Sequence, residues 1–290
     1  MSAIRSIRVF RLFVLLIVLS GRFAALGAAE TDSILRPVLS TFTAEIGTNH
    51  VRDTYLTPLE YKGWEFALGY DRMQAMRFNP ERWIMQLQGR ISIGRGLNPS
   101  KTALMWQLDF RPSWNMMWRT RLPYGFTVAA GGNAEVDLGV LYLPRNGNNP
   151  ASVKASLTVG ATGMAVWNGK LGRLPVTFRY QPTVPLIGAF FSPDYDELYY
   201  EIWLGNHSGL AHCAWPGNFF RLDNLLTADL HFGATTLRLG YRCEVFSGKS
   251  GDIVNRNITH TFVLGVSTEL ISLRTGSNRT PDARIISALY

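Results

Sequence analysis

Beyond residue 30 the sequence has no apolar run approaching the roughly 18 residues that a membrane-spanning helix needs, which excludes a helical membrane protein after its first segment. Cysteine is scarce: Cys213 and Cys243 are the only two, so the fold does not rest on a disulfide framework. Cys213 falls in an irregular stretch and Cys243 on the apolar face of a strand; a bridge between them and two free thiols both stay open. Internal repeats and low-complexity tracts are missing. No glycine-rich phosphate loop is present either, since Gly94-Arg95-Gly96 lacks the helix that such a loop must open. A basic footprint for nucleic acid is also lacking. The formal charge is +8, but removing residues 1–29 takes away four arginines and no acid, leaving 25 basic against 21 acidic residues and a net +4.

Residues 1–29 read as a cleaved secretory signal. Arg5, Arg8 and Arg11 make a basic start, residues 12–19 are an apolar stretch too short to span a membrane, and Gly27, Ala28 and Ala29 supply small residues for cleavage near Glu30. Arg22 is unusual there and leaves the cut position open; the competing reading is an N-terminal anchor helix.

What the chain does have is long alternation. In 103–120 the even positions are Leu104, Trp106, Leu108, Phe110, Pro112, Trp114, Met116 and Trp118, against Gln107, Asp109, Arg111, Ser113, Asn115 and Arg119. After the corner Leu122-Pro123-Tyr124-Gly125, residues 126–142 alternate again, with Phe126, Val128, Val136, Leu138, Val140 and Tyr142 opposite Thr127, Asn133, Glu135 and Asp137. A strand turns successive side chains to opposite faces, so each run has one apolar and one polar face. The pattern holds for about sixteen residues, where soluble strands average about five to six. A transmembrane strand needs about ten, and only a closed barrel can show such a face to lipid. A hydrophobic fraction of 47% without long apolar runs suits the same architecture.

Further alternating runs occupy 39–47, 64–71, 83–93, 153–167, 174–180, 198–204, 222–232, 237–245 and 262–270, and 285–290 is either a last strand or a tail. Connections are expected at 50–63, 78–82, 94–101, 144–150, Asn168-Gly169, 181–197 and 247–256, with a tight turn at Gly233. The fold class is therefore all-β: a single antiparallel transmembrane β-barrel of about twelve strands, within ten to fourteen, over residues 39–274, followed by a tail or last strand at 275–290. Short turns alternate with long loops until residue 198, where the rule breaks. Either a strand is hidden in 206–219 or that piece folds into the lumen.

The inward faces collect Glu65, Asp71, Arg90, Asp109, Arg111, Glu135, Asp137, Arg179, Glu201, Asp229, Arg238, Arg242, Glu244 and Glu269. Two readings hold for these lumen-lining charges: pairing across a confined interior, where a lone charge is costly, or lining of a polar path. Their mixed signs argue against strong selection for one ion sign. Trp64, Trp83, Trp106, Trp114, Trp118 and Trp167 lie on apolar faces and fit aromatic girdles at the two membrane interfaces.

The sharpest local cluster is Gly205-Asn206-His207-Ser208-Gly209-Leu210, with His212 close by and Asp229 and His231 further on. A Ser–His pair is what a membrane-embedded lipid hydrolase would need, with histidine taking the serine proton. Barrel phospholipases and lipid A deacylases place the two residues two apart on one strand face, whereas His207 and Ser208 are adjacent and would point oppositely. Ser208, His207 and His212 stand as the catalytic candidates of that alternative. No metal site follows from histidines so spaced, and no cofactor is implied.

The segment 53–63, Asp-Thr-Tyr-Leu-Thr-Pro-Leu-Glu-Tyr-Lys-Gly, together with Leu204-Gly205-Asn206-His207-Ser208-Gly209-Leu210 and Asn224-Leu225-Leu226-Thr227-Ala228-Asp229, resembles an uncharacterised family of predicted Gram-negative outer-membrane proteins, a domain of unknown function. The resemblance covers roughly 39–274. It implies an envelope location and a barrel, and it brings no established activity or catalytic residue. The expectation is thus an outer-membrane β-barrel in contact with outer-membrane lipid and not with nucleic acid, structural or passing small solutes, its oligomeric state open. The alternative is an embedded acyl hydrolase acting on phospholipid or lipid A, and a third reading is a periplasmic β-rich binding protein.

Overall fold

Alternating β-branched, aromatic and small residues build one eleven-stranded antiparallel sheet in the computed structural model, which describes residues 34–147, 149–193, 199–205, 209–233, 235–270 and 284–289. The chain divides into two units, 1–35 with 279–284 and 36–278 with 285–290. Of the first, only residues 34, 35 and 284 are described, so the expected signal sequence lies outside the described residues.

The sheet strands are β1 (Val38–Asp53), β2 (Glu60–Ala75), β3 (Trp83–Leu97), β4 (Leu104–Arg121), β5 (Phe126–Tyr142), β6 (Ala151–Leu171), β7 (Leu174–Phe191), β8 (Ala211–Ala214), β9 (Phe219–Phe232), β10 (Thr235–Ser250) and β11 (Ile253–Leu270). Consecutive long strands pair as hairpins, β11 returns to β1 (Phe262 opposite Ile46), and β7 pairs with β9 (Arg179 opposite Thr227). That last pairing closes the sheet into a barrel of ten long strands, with β8 as a short extra piece on β7.

Every barrel strand exceeds the tilted length that crosses hydrocarbon, running from 14 residues in β9 to 21 in β6. The corner at 122–125 holds as expected. Leu122 N–H donates to Phe126 O at 2.8 Å, and Tyr124 and Gly125 take φ of +62° and +79°, a region glycine enters without steric cost.

Several expectations need correction. Residues 198–204 do not form a wall strand: Tyr199–Trp203 is a short helix, α1, in a long excursion between β7 and β9. Alternation over so few residues does not distinguish strand from helix. Without that strand the count falls from twelve to ten. Connections 76–82, 122–125, 172–173 and Gly233 share one end, the tight-turn end; 54–59, 98–103, 143–150, 192–218 and the two-residue turn 251–252 share the other, the long-loop end, so short and long connections separate only in part. The hidden strand in 206–219 is the short β8. Four loops were drawn too long, because strand runs on through polar or proline-bearing sequence: β1 to Asp53, β3 to Leu97, β7 to Phe191, and β10 to Ser250 with β11 from Ile253. The Asn168-Gly169 pair lies inside β6, and its turn is at 172–173.

At the C-terminus 271–283 lie outside the described residues, and only Arg284–Ile285 is strand. Ile286, Ser287, Ala288 and Leu289 are buried inside the tight-turn end instead of adding a wall strand. Cys213 and Cys243 are both free thiols, so the bridge is not formed.

Two faces result. Outside, large apolar side chains are exposed on all ten long strands, among them Phe42, Leu68, Ile91, Phe110, Leu138, Val159, Phe178, Leu226, Leu239 and Phe262 (72% exposed). No second layer of this chain covers them among the described residues. The inside carries the polar and charged set, with an apolar cluster towards each end.

Candidate functional site: the filled barrel interior

Ten strands enclose more cross-section than the eight that ordinary side chains fill, and here long arginines take up the space. At the tight-turn end Leu39, Met73, Ile84, Met117, Met164 and Val166 pack with Ala288 and Leu289 of the C-terminal segment. Arg119 holds that segment: its Nη1 donates to Ser287 O (2.7 Å) and Ala288 O (2.5 Å), its Nη2 to Pro80 O (2.8 Å) and its Nε to Glu81 O (3.0 Å). Asn168 Nδ2 donates to Leu289 O at 3.1 Å, and Ser287 Oγ to Glu269 at 2.5 Å.

Above this plug lies a balanced layer of two acids and two arginines. Arg238 makes two 2.7 Å bonds to Asp229, the fork geometry that charge-assisted pairs favour, and Arg179 donates to Asp71 at 3.0 Å. An amide ladder sits beside it: Gln86 donates to Asp71 (3.0 Å), Gln181 to Gln86 (2.8 Å), Asn115 to Gln86 (3.0 Å) and Asn133 to Asn115 (2.6 Å).

Next come two larger ionic clusters. In one, Arg90 bridges Glu45 (3.0 Å) and Glu65 (2.6 Å), while Arg242 joins Glu45 (3.2 Å) to Asp223 (3.4 Å). In the other, Arg111 reaches Glu244 (2.6 Å), Asp109 (3.1 Å), Asp137 (3.7 Å) and Glu135 (3.9 Å). Arg221 contacts Asp137, Glu135 (2.5 Å) and Glu244 (3.5 Å). A cleft opens above this second cluster, with Asp109, Arg111, Asp137, Arg221 and Glu244 in its floor and Phe190, Phe219 and Phe246 in its wall.

At the long-loop end Val51, Leu56, Tyr61, Ala103, Met105, Leu141 and Leu143 form the second apolar cap. Tyr199 of α1 accepts the Val153 N–H at 2.6 Å and stands edge-on to Tyr55; its burial pushes the phenol above its ordinary pKa and keeps it neutral.

Of the expected lumen charges, Glu65, Asp71, Arg90, Asp109, Arg111, Glu135, Asp137, Arg179, Asp229, Arg238, Arg242 and Glu244 are buried inside. Glu269 has inward parity but is exposed at the mouth. Glu201 is a correction: it is an exposed residue of α1, outside the barrel wall, because its segment is helical. Sequence reasoning missed Glu45, Asp223, Arg221 and Arg119. Glu45 lies between outward Ala44 and Ile46, so alternation marks it; Arg221 and Asp223 fell at a strand boundary drawn too tightly.

All six expected tryptophans are on the outer face. Trp83 and Trp118 are cross-strand partners, and Trp167 meets Phe126 and Phe178 at 6.3 and 5.7 Å, all towards the tight-turn end. Trp64 and Trp106 meet at 6.4 Å towards the other end, and Trp114 lies between the two levels.

His207 and Ser208 lie outside the described residues. His212 belongs to β8, where its Nε2 is 3.0 Å from both Ser192 O and Ser250 Oγ. A carbonyl only accepts, so that nitrogen carries the proton when it bonds Ser192 O, and it cannot then take a proton from Ser250. Among the described residues no group of three or more His, Cys, Asp or Glu is arranged to hold a metal ion.

A family model described as "Protein of unknown function (DUF3316)" matches residues 10–277. No curated protein matches the chain. Among solved structures, Neisserial surface protein A (NspA) is 10% identical over 80% of this chain and 97% of its own, with a TM-score of 0.33. The translocator domain of the autotransporter NalP from Neisseria meningitidis is 8% identical over 91% and 96%, with a TM-score of 0.39. An outer membrane channel from Pseudomonas putida F1 is 9% identical over 84% and 100%, with a TM-score of 0.34. None of these lends an activity to this chain.

Proposed function

Because the chain belongs to the DUF3316 family, whose function is unknown, we propose a role from the barrel itself: an integral outer-membrane protein that is structural and non-enzymatic, with a closed lumen. The observation that carries this reading is the pairing of an apolar exterior on all ten long strands with an interior filled by arginine–carboxylate clusters between two apolar caps. So wide an apolar exterior is untenable in water, where soluble monomers leave patches of only a few hundred Å². In lipid it becomes the contact surface, and only a closed barrel satisfies its backbone there.

The tryptophans at two levels support interfacial girdles, and the two longest connections, 143–150 and 192–218, support the outer side for the end they share. Residues 1–29 would act as the export signal. Free passage of solutes is disfavoured by the filled cross-section.

Refolded protein in a planar bilayer tests the proposal, beside a gel of heated and unheated samples. A heat-modifiable folded band without steady conductance is expected. A stable open current would refute the closed lumen, and failure to insert into lipid would refute the membrane assignment.

A further inference from the structure

Five strands that lie side by side turn cations outward at one rim. They are Lys249 on β10, Arg256 on β11, Arg52 on β1, Lys62 on β2 and Arg95 on β3, each exposed and within three residues of its strand's long-loop end. The ladders make them neighbours. Arg256 stands opposite Arg52, Arg52 opposite Glu60, and Lys62 opposite Leu97, two residues from Arg95. At the matching outward positions β4, β5, β6 and β9 hold Trp106, Tyr142, Val153 and Phe220. The cations are thus gathered on one side of the wall and not spread around the rim.

Their depth follows from β2, where Lys62 and Arg72 bracket the outward run Trp64, Phe66, Leu68 and Tyr70. A ten-residue step at about 3.3 Å per residue and a tilt of about 40° rises about 25 Å, the height of a barrel's lipid-facing apolar band. Lys62 therefore stands at headgroup level. Arg95 is fixed near the same level, opposite both Trp64 and Trp106, with its guanidinium 5.8 Å from the Trp106 ring centre.

The patch is not neutralised from within. Its acids are Glu60, 3.6 Å from Lys62 and 3.5 Å from His50, and Asp252 in the turn that joins β10 to β11. Five positive charges against two leave an excess of three. Among the described residues no carboxylate lies within ion-pair distance of Arg52, Arg95 or Arg256. A guanidinium offers a planar fork of donors that matches phosphate. A zwitterionic phosphodiester headgroup brings its own ammonium and cancels itself. A phosphomonoester on an uncharged sugar carries close to two negative charges with nothing to offset them.

We propose that this side of the barrel holds a phosphorylated glycolipid of the lipid A class, its phosphomonoesters on Arg52, Arg95 and Arg256 and its acyl chains along the apolar wall below. This rests on the membrane reading above, with the long-loop end as the outer one.

The test uses the full protein refolded in dodecyl maltoside micelles, with bound lipid measured by native mass spectrometry. Diphosphoryl lipid A should bind about tenfold more tightly than dephosphorylated lipid A of the same acylation. Arg52→Gln combined with Arg95→Gln and Arg256→Gln should weaken the diphosphoryl form about a hundredfold, at about fivefold per arginine. Arg72→Gln with Arg82→Gln, at the opposite end, should leave it unchanged. High salt should weaken the phosphorylated form alone in the unmodified protein, a readout that needs no variant to fold. Equal binding with and without phosphate, or equal loss in the two variants, overturns the proposal. Displacement by millimolar inorganic phosphate would mark a free-anion site, and a dimer lost in the triple variant would assign the patch to a second copy; either overturns it too. Failure of the protein to insert into lipid vesicles would instead count against the membrane reading.

Discussion

Replacing Arg119 with Ala should free the C-terminal segment from the tight-turn mouth without opening the barrel. The guanidinium donates to four carbonyls, of unequal weight. Those of Pro80 and Glu81 belong to a turn whose residues are largely outside the core, and water can replace the donor there. Those of Ser287 and Ala288 are buried, with residue exposures of 7% and 1%, so their loss is uncompensated. Two charge-assisted bonds to buried acceptors are worth about 1.5–3 kcal/mol each. Relief of the burial of the guanidinium offsets part of this, leaving a net destabilisation of about 2–4 kcal/mol. Urea unfolding in lipid vesicles measures that quantity, and hydrogen exchange at residues 285–289 reports the segment directly. Arg119→Lys should recover less than half, since one ammonium cannot span four acceptors. Conductance should stay at baseline in Arg119→Ala, because the ionic layers above the plug still fill the lumen. A loss below about 1 kcal/mol with unchanged exchange at 285–289 would refute the clamp.

Further expectations concern the charges and the outer face. Asp229→Asn leaves Arg238 without its two-bonded partner and should cost about 3–5 kcal/mol, while Asp229→Leu combined with Arg238→Leu should cost clearly less than the sum of the singles in a double-mutant cycle. Phe110 is a mid-strand outward residue opposite Ile91, so Phe110→Lys should cost about 2–4 kcal/mol in lipid vesicles; Trp118→Lys, close to the strand end, should cost about 0–1 kcal/mol. A similar cost at both positions would mean that the outer face is not graded by membrane depth. Gly125→Val should slow refolding and destabilise the β4–β5 hairpin by about 1–2 kcal/mol, because a β-branched residue cannot adopt φ of +79° without strain; an unchanged urea midpoint would count against it.

The architecture was legible wherever the two-residue period ran unbroken. Parity alone placed Asp109, Arg111, Glu135 and Asp137 on the inside and Trp106, Trp114 and Trp118 on the outside, because in a closed barrel every residue of a strand faces either lumen or exterior. It failed at the period's interruptions. Pro182, Pro185 and Pro193 read as loop, yet β7 runs through the first two, because a proline is tolerated where the wall pairs on one side only. Leu198, Tyr200, Ile202 and Leu204 fit a strand as well as they fit one turn of helix. The C-terminal plug left no signal that alternation could find: Ile286, Ala288 and Leu289 are apolar because they fill an interior, not because they face outward. The ionic partners were not legible at all, since which carboxylate meets which arginine depends on strand stagger across the lumen.

That stagger also explains why the interior is built of arginine and acid and not of leucine. A ten-stranded wall leaves a gap that apolar side chains from one strand cannot span to meet those opposite, whereas arginine reaches several acceptors at once, as Arg111 does with four carboxylates from β4, β5 and β10. Its contact with Glu244 ties β4 to β10, two strands that share no ladder. The wall can therefore tolerate one unpaired stretch at residues 184–187, since Arg221, just beyond it on β9, is tied across the lumen to Glu135 and Asp137 of β5. A barrel with a filled centre keeps its shape when one seam parts; one held by ladders alone would begin to unzip there.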